Sequence, residues 1–425
     1  SALMARYYTA RACGDRWDFE AAAEIYKNII TFRDCAERYA AIQEKLQWLK
    51  DKRFDYYIEG IGGGLVCVRQ NGKYGAVDKT GSLIVPCEYD SIGYFSEGLA
   101  SVKKNEKYGF IDTAGKMVVP CEYDKIGSFS EGLASVNKNG KYGFIDTTGT
   151  LVIPCEYDGA GSFSEDLASV KKNEKWGFID ITGKLVIAYE YDGAGSFSEG
   201  LAKVKENEKW GFIDATGTLV VPCEYDGAWF FSEGLASVNK NEKWGVINAT
   251  GKLVVPCEYD NKYDISFFEG LAEVEKNGKY GFIDTTGKLI VPCEYDDVGS
   301  FSEGLAKVKE NEKWGFIDTT GELVLPCEYD DAWSFSEGLA PVEKNGKWGF
   351  IDTNGKLVIP CEYDNAGYYF SEGFAPVLKG EKWGFIDTTG RLVIPCEYDN
   401  ASDFSEGFAP VEKNGKWGFI DTNGK

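Results

Sequence analysis

One pentapeptide, Pro-Cys-Glu-Tyr-Asp, returns along the chain with its cysteine at Cys87, Cys121, Cys155, Cys223, Cys257, Cys293, Cys327, Cys361 and Cys396. The spacing is 34 residues, except for 36 before Cys293 and 35 before Cys396, and one copy carries Tyr189 in the cysteine slot. A second marker, an aromatic residue followed by Gly, falls at Tyr74, Tyr108, Tyr142, Trp176, Trp210, Trp244, Tyr280, Trp314, Trp348, Trp383 and Trp417. Eleven copies of one unit follow from this. A unit of such length cannot bury its own apolar residues, so the copies must stack on one another. The usual allowance of one domain per 100–200 residues therefore does not apply to this chain.

A unit begun at Leu201 contains three legible β segments. Leu-Ala-x-Val-x-Lys is followed by Asn-Gly or Asn-Glu, the pair expected of a two-residue type I′ hairpin. Lys-Trp-Gly-Phe-Ile-Asp is followed by Thr-Thr-Gly or Thr-Asn-Gly, where the Asp side chain can accept turn N–H groups and Gly can take the left-handed conformation. Leu-Val-Ile-Pro-Cys-Glu-Tyr-Asp comes third, and a variable stretch ending mostly in Phe-Ser-Glu-Gly reads as the link to the next unit. Period-two alternation puts Leu, the third aliphatic residue, Cys and Tyr of the third segment on one face. Apolar residues lie on both faces, as units stacked on both sides require. The proline reads as a corner that turns Cys-Glu-Tyr-Asp toward the next unit.

The expected fold is mainly β: an open superhelical or solenoid array of eleven antiparallel three-stranded repeats over residues 56–425. One or two β-propeller-like rings are the alternative, since a single ring usually holds 4–8 blades. The two extra residues near Asp264 would then mark a junction between rings. Residues 1–55 show helical periodicity, with Asp18 placed as an N-cap before Phe19, and are expected to form a helical cap. The start at Ser1-Ala2 reads as a trimmed terminus, and the stop at Lys425 leaves the last unit incomplete.

Lys and Arg total 46 against 68 Asp and Glu, a formal charge of −22. This opposes the basic footprint that nucleic acid or an anionic membrane surface requires, so neither is an expected partner. No run of about 18 apolar residues occurs, so membrane insertion is not expected. The chain has no histidine, which removes the commonest general base and metal ligand. Cys-Glu-Tyr-Asp offers a thiol with no base to ionise it, and reads as a small buried residue stacked with its equivalents. Asp-Thr-Asn-Gly lacks the ligand spacing of a calcium loop. Catalytic residues, metal and cofactor are all expected to be absent, and the chain is not expected to be an enzyme.

Variation is concentrated in the stretch between Tyr-Asp and Phe-Ser-Glu-Gly, where repeat proteins often carry binding diversity. Trp229, Phe230, Tyr263, Trp333, Tyr368 and Tyr369 stand there, of the type enriched at interface hot spots. They are the candidate binding residues; the competing reading has them covering gaps between units.

The repeated Lys-Trp-Gly-Phe-Ile-Asp-Thr-Thr-Gly-Lys-Leu-Val-Ile-Pro-Cys-Glu-Tyr-Asp resembles the tryptophan-glycine (WG) repeat family of bacterial proteins. That resemblance implies a β-rich repeat region with no general activity to carry over. Phe19 to Ala36 resembles a tetratricopeptide-like helical hairpin. Gly-Lys-Trp-Gly-Phe-Ile-Asp is similar to the hairpins of choline- and glucan-binding repeats, although Gly here replaces part of their aromatic pair. The expected function is a non-catalytic scaffold that binds a protein partner along one side of the array. The alternative is an exported module for cell wall or glycan. Free thiols and the lack of a visible signal peptide point to the cytoplasm, and a removed signal would move the chain to the cell surface. No oligomeric state is predicted.

Overall fold

Each copy of the repeat becomes one antiparallel meander whose strands pair in chain order. The computed structural model describes residues 56–78, 82–404 and 407–424. The expected helical cap at 1–55 lies outside the described residues. Eleven sheets succeed one another, here called blades 1 to 11: residues 56–89, 91–123, 125–157, 159–191, 193–225, 227–259, 267–295, 297–329, 331–363, 365–398 and 400–421. Ten have four strands and blade 11 has three.

Blade 3 shows the local logic. Its strands are Lys125–Ile126, Leu133–Lys138, Lys141–Asp146 and Leu151–Tyr157. The turn between the second and third strands is Asn139-Gly140, at φ 56° and 81°, the two positive values that a type I′ hairpin needs. Asp146 closes the next turn by accepting from the Thr148 and Thr150 amides at 2.9 and 2.8 Å, with Gly149 at φ 86°. Both turns follow the sequence reading.

The variable stretch is more than a link. Lys125 and Ile126 pair with Asn137 and Val136, and Ser130 pairs with Leu133 across Glu131-Gly132. Glu131 stands at φ 55° and Gly132 at φ 78°, so Glu-Gly is a second two-residue hairpin turn. The expected three-stranded solenoid unit is therefore corrected to a four-stranded blade, because these residues find backbone partners on the second strand. Blades packed face to face in succession form a propeller-like arrangement, which fits the alternative rather than the open solenoid.

Both faces of each blade are buried. Leu133, Phe144, Ile153 and Tyr157 of blade 3 meet Phe163, Ala168, Val170 and Ile179 of blade 4. On its other face, Ala134, Val136 and Ile145 meet Leu99, Phe110, Val119 and Tyr123 of blade 2, with Cys155 against the same cluster. So the cysteine does not share a face with Ile153 and Tyr157, as simple alternation suggests. A bulge is the reason: Tyr142 pairs with Tyr157 and Phe144 with Ile153, leaving Pro154, Cys155 and Glu156 opposite Gly143 alone. The proline is thus a bulge inside one continuous strand and not a corner. Glycine in the aromatic-Gly pair makes room for it. In blade 8, a Cβ on Gly315 would stand 2.5 Å from the Leu325 carbonyl oxygen and 2.8 Å from the Cys327 nitrogen.

Candidate binding cleft

A regular junction between blades carries three devices. The buried Phe144 of blade 3 meets Phe163 of blade 4 edge to face, ring centres 4.9 Å apart. Equivalent edge pairs stand at eight junctions, from Phe110–Phe129 to Phe385–Phe404. Each adds about 0.5–1.5 kcal/mol beyond its buried area. Second, Ser130 Oγ donates to the Phe163 carbonyl at 2.8 Å. Third, the Glu131 carboxylate accepts from the Glu165 and Asp166 amides at 2.7 and 2.9 Å. Holding a glutamate at positive φ costs energy, and here that conformation accompanies capture of the next blade's turn.

The junction between blades 6 and 7 lacks all three. The third-strand Phe becomes Val246, and Ile265 fills the buried slot that Phe163 fills in blade 4. Phe268 of blade 7 takes the serine position of the next junction, toward blade 8. Ser232 and Glu233 of blade 6 make none of the ladder bonds to blade 7, although both are among the described residues. The two-residue insertion explains the change. It displaces the backbone that elsewhere forms the first short strand, and the Asn261 side chain substitutes for it. Its amide donates to the Glu273 carbonyl at 3.0 Å and accepts from the Glu275 amide at 2.8 Å. Ile265 N–H then donates to Ser237 Oγ at 2.9 Å.

What remains is a cleft of about 230 Å³. Its lining includes Leu235, Val246 and Ile265, the aromatics Trp229, Phe230, Phe267 and Phe268, and the acids Glu233 and Asp264. A water's share of liquid volume is about 30 Å³ and drug-sized pockets begin near 300 Å³, so the cleft suits one large side chain.

Of the candidate residues, Trp229 and Phe230 line this cleft, and Tyr263 lies in the insertion beside it, 68% exposed. Trp229 also has a structural task. Together with Trp210 and Phe230 it surrounds Lys203 of blade 5, whose ammonium lies 5.3, 5.1 and 4.5 Å from the three ring centres. Lys203 Nζ donates to the Ala228 carbonyl at 3.0 Å, and burial pushes its ammonium below the usual lysine range. Blades 8 and 9 repeat the arrangement. Lys307 lies 4.2 Å from Trp314 and 4.9 Å from Trp333, with a 2.9 Å bond to the Ala332 carbonyl. Tyr368 of blade 10 meets Trp333 edge to face, ring centres 4.5 Å apart, and Tyr369 hydrogen-bonds Asp403. The six residues thus form two aromatic groups at different junctions and not one continuous site.

The sequence reading missed Glu233, Val246, Ile265, Phe267 and Phe268. The signal was present as departures from constant positions: Lys-Trp-Gly-Val-Ile-Asn for Lys-Trp-Gly-Phe-Ile-Asp, and Phe-Phe-Glu-Gly for Phe-Ser-Glu-Gly. The cysteines are no part of the cleft. All ten in the described residues are free, and burial raises the thiols of the nine other than Cys87, that of Cys67 to about 12. From Cys121 to Cys396 each repeat cysteine packs against the preceding blade, as Cys121 does in the cluster of Tyr89, so the expected stack of thiol on thiol is replaced by thiol on tyrosine cluster. Among the described residues no group of three or more Cys, Asp or Glu is placed to hold a metal ion.

The family described as "WG containing repeat" matches ten successive stretches, running without a gap from residue 74 to residue 417. No curated protein matches the sequence. Solved structures to which the chain is similar include a eukaryotic initiation factor, 13% identical, with 77% of this chain and 94% of that one covered and a TM-score of 0.42. Kluyveromyces lactis Hsv2 is 9% identical, covering 63% of this chain and 98% of its own at a TM-score of 0.31. PorZ of Porphyromonas gingivalis, a bacterial surface component of the type-IX secretion system, is 9% identical over 84% of this chain and 64% of its own length, with a TM-score of 0.27.

Proposed function

The chain belongs to the WG-repeat family, and from that premise we propose that it is a non-catalytic scaffold binding a protein partner along the side that carries the variable stretches. The observation behind this reading is exposure. Trp229, Phe230, Tyr263, Tyr368 and Tyr369 are large aromatics, 42–68% exposed, in equivalent segments of different blades. Residues of this type supply large contact area with little rotamer entropy to lose, which suits an interface. The raised thiols support a structural rather than nucleophilic role for Cys-Glu-Tyr-Asp. Ten free cysteines favour a reducing compartment, the cytoplasm.

The test is affinity capture with the immobilised chain, run beside a variant with Trp229, Tyr263 and Tyr368 changed to Ser. Retention of a protein by the parent and its loss from the variant is the expected result. A parent that retains a sugar from a glycan array and no protein would overturn the reading in favour of a glycan-binding module.

A further inference from the structure

The cleft between blades 6 and 7 is built from coordinated departures, and those departures define what it can hold. Val246 replaces the third-strand ring of the regular junction and Ile265 is buried beside it, while Phe267, in register with the Phe of other blades, is only partly buried, so the floor of the cleft is apolar. The wall is aromatic on both sides, with Trp229 and Phe230 from blade 6 and Phe267 and Phe268 from blade 7. At its rim Glu233 has the same Ser-Glu-Gly context as Glu131 and Glu199, each of which accepts two backbone N–H groups from the following blade. Glu233 accepts none, so a carboxylate that the repeat elsewhere uses to receive one or two N–H donors faces the opening without them. Asp264 adds a second negative charge and accepts from Ser266 Oγ at 2.6 Å.

We propose that this cleft is the seat of a lysine or arginine side chain from a protein partner. The occupant's aliphatic stem lies on Leu235, Val246 and Ile265, its cation faces the aromatic walls, and its N–H groups donate to Glu233. The chain itself provides a precedent for the pairing of cation and rings. One blade back, Lys203 packs into Trp210, Trp229 and Phe230, so the indole of Trp229 already serves an ammonium of this chain beside the cleft. The cleft volume matches one long side chain, and the formal charge of −22 draws basic partners toward the surface. This inference rests on the scaffold reading and names the chemistry of the contact within it.

The test uses the full chain labelled with 5-fluorotryptophan, the Trp229 resonance being assigned by Trp229→Phe. The probes are the blocked amino acids Nα-acetyl-lysine methylamide and Nα-acetyl-arginine methylamide, with Nα-acetyl-norleucine methylamide as the neutral isostere and cellotetraose as the glycan arm. The cationic probes are expected to shift the Trp229 signal saturably and to bind about tenfold more tightly than norleucine. Glu233→Gln should remove most of that preference. Val246→Phe, which restores the ring of the regular junction, should abolish the shift while leaving the aromatics of the outer surface in place. Equal binding of norleucine, an unchanged preference in Glu233→Gln, or a response to cellotetraose alone would overturn the proposal. The two readings fail separately. Amine binding with no captured protein sinks the scaffold and leaves the cleft, whereas capture undiminished by Val246→Phe sinks the cleft and leaves the scaffold.

Discussion

The junction between blades 3 and 4 and the junction between blades 6 and 7 join nearly identical strands in different ways. At the first, two phenyl rings, a serine hydroxyl and a glutamate carboxylate all reach across. At the second Val246 replaces the third-strand ring, Ile265 is buried beside it, and Ser232 and Glu233 reach nothing in blade 7. The contrast separates two kinds of repeat information. Some constant residues, such as Asn-Gly and Asp-Thr-Thr-Gly, build the blade, while the Cys and Tyr of Cys-Glu-Tyr-Asp pack against the blades on either side. Phe-Ser-Glu-Gly joins blade to blade, and where blade 7 no longer meets Ser232 and Glu233 both sheets stay intact while the join loses its rungs.

The largest difference between the two junctions should come from deleting the packed ring. Phe178, fully buried and 5.1 Å from Phe197, occupies a regular junction, and Phe178→Ala is expected to cost about 3–5 kcal/mol. Val246→Ala should cost only about 1–2 kcal/mol, because it removes a much smaller buried side chain. Amide exchange in the flanking strands is the appropriate measure, since repeat arrays open locally; equal losses would erase the distinction. Next in size, Val246→Phe should slow exchange across blades 6 and 7, by about 1 kcal/mol if the ring meets Ile265 as its equivalents meet their partners. Faster exchange would mean that the cleft is not a missing ring.

Glu131→Gln and Glu233→Gln provide a finer comparison. The first weakens two charge-assisted bonds at an exposed turn and should cost about 1 kcal/mol, the second within about 0.5 kcal/mol of nothing. Identical effects would show that the rungs contribute little. Alkali should reveal no difference at all. Burial raises Tyr157, to about 12, and raises Tyr259 and Cys293 at the other junction. Groups with raised folded values contribute stability that is complete below the unfolded values of 10.0 for tyrosine and 9.0 for cysteine. That contribution is lost as pH rises toward about 12. Exchange at both junctions should therefore accelerate together over this window. A response confined to one of them would place a further difference outside the Phe slot and the ladder.

Much of the blade was legible in the residues. Asn-Gly and Asp-Thr-Thr-Gly specify their turns through local backbone chemistry, and apolar residues on both faces announce stacking. The fourth strand was hidden because two residues, such as Gly159-Ala160, carry no period, and because Glu131-Gly132 is not a familiar type I′ pair until its carboxylate is seen holding the next blade. The cysteine was placed on the wrong face because Pro154 and Cys155 break the alternation on which the assignment relied. Of the candidate residues, Trp229 and Phe230 line the cleft and the others stand in variable segments elsewhere. Their sequence positions could not show that Trp229 and Trp333 are partly engaged with Lys203 and Lys307, since those partners lie 26 residues away in the preceding blade. The cleft itself depends on substitutions at otherwise constant positions, and contrast between repeats carries that information better than the variable stretches do.

The Asn261 amide, standing in for a lost pair of backbone bonds, has a consequence for how the array can be addressed. A ligand that touched only constant positions would find the same surface again every 34 residues and could settle at several offsets with equal energy. By letting blade 7 accept two extra residues without losing its sheet, that one side chain breaks the translational degeneracy. The array then has a zero mark, and positions along it can be counted from there.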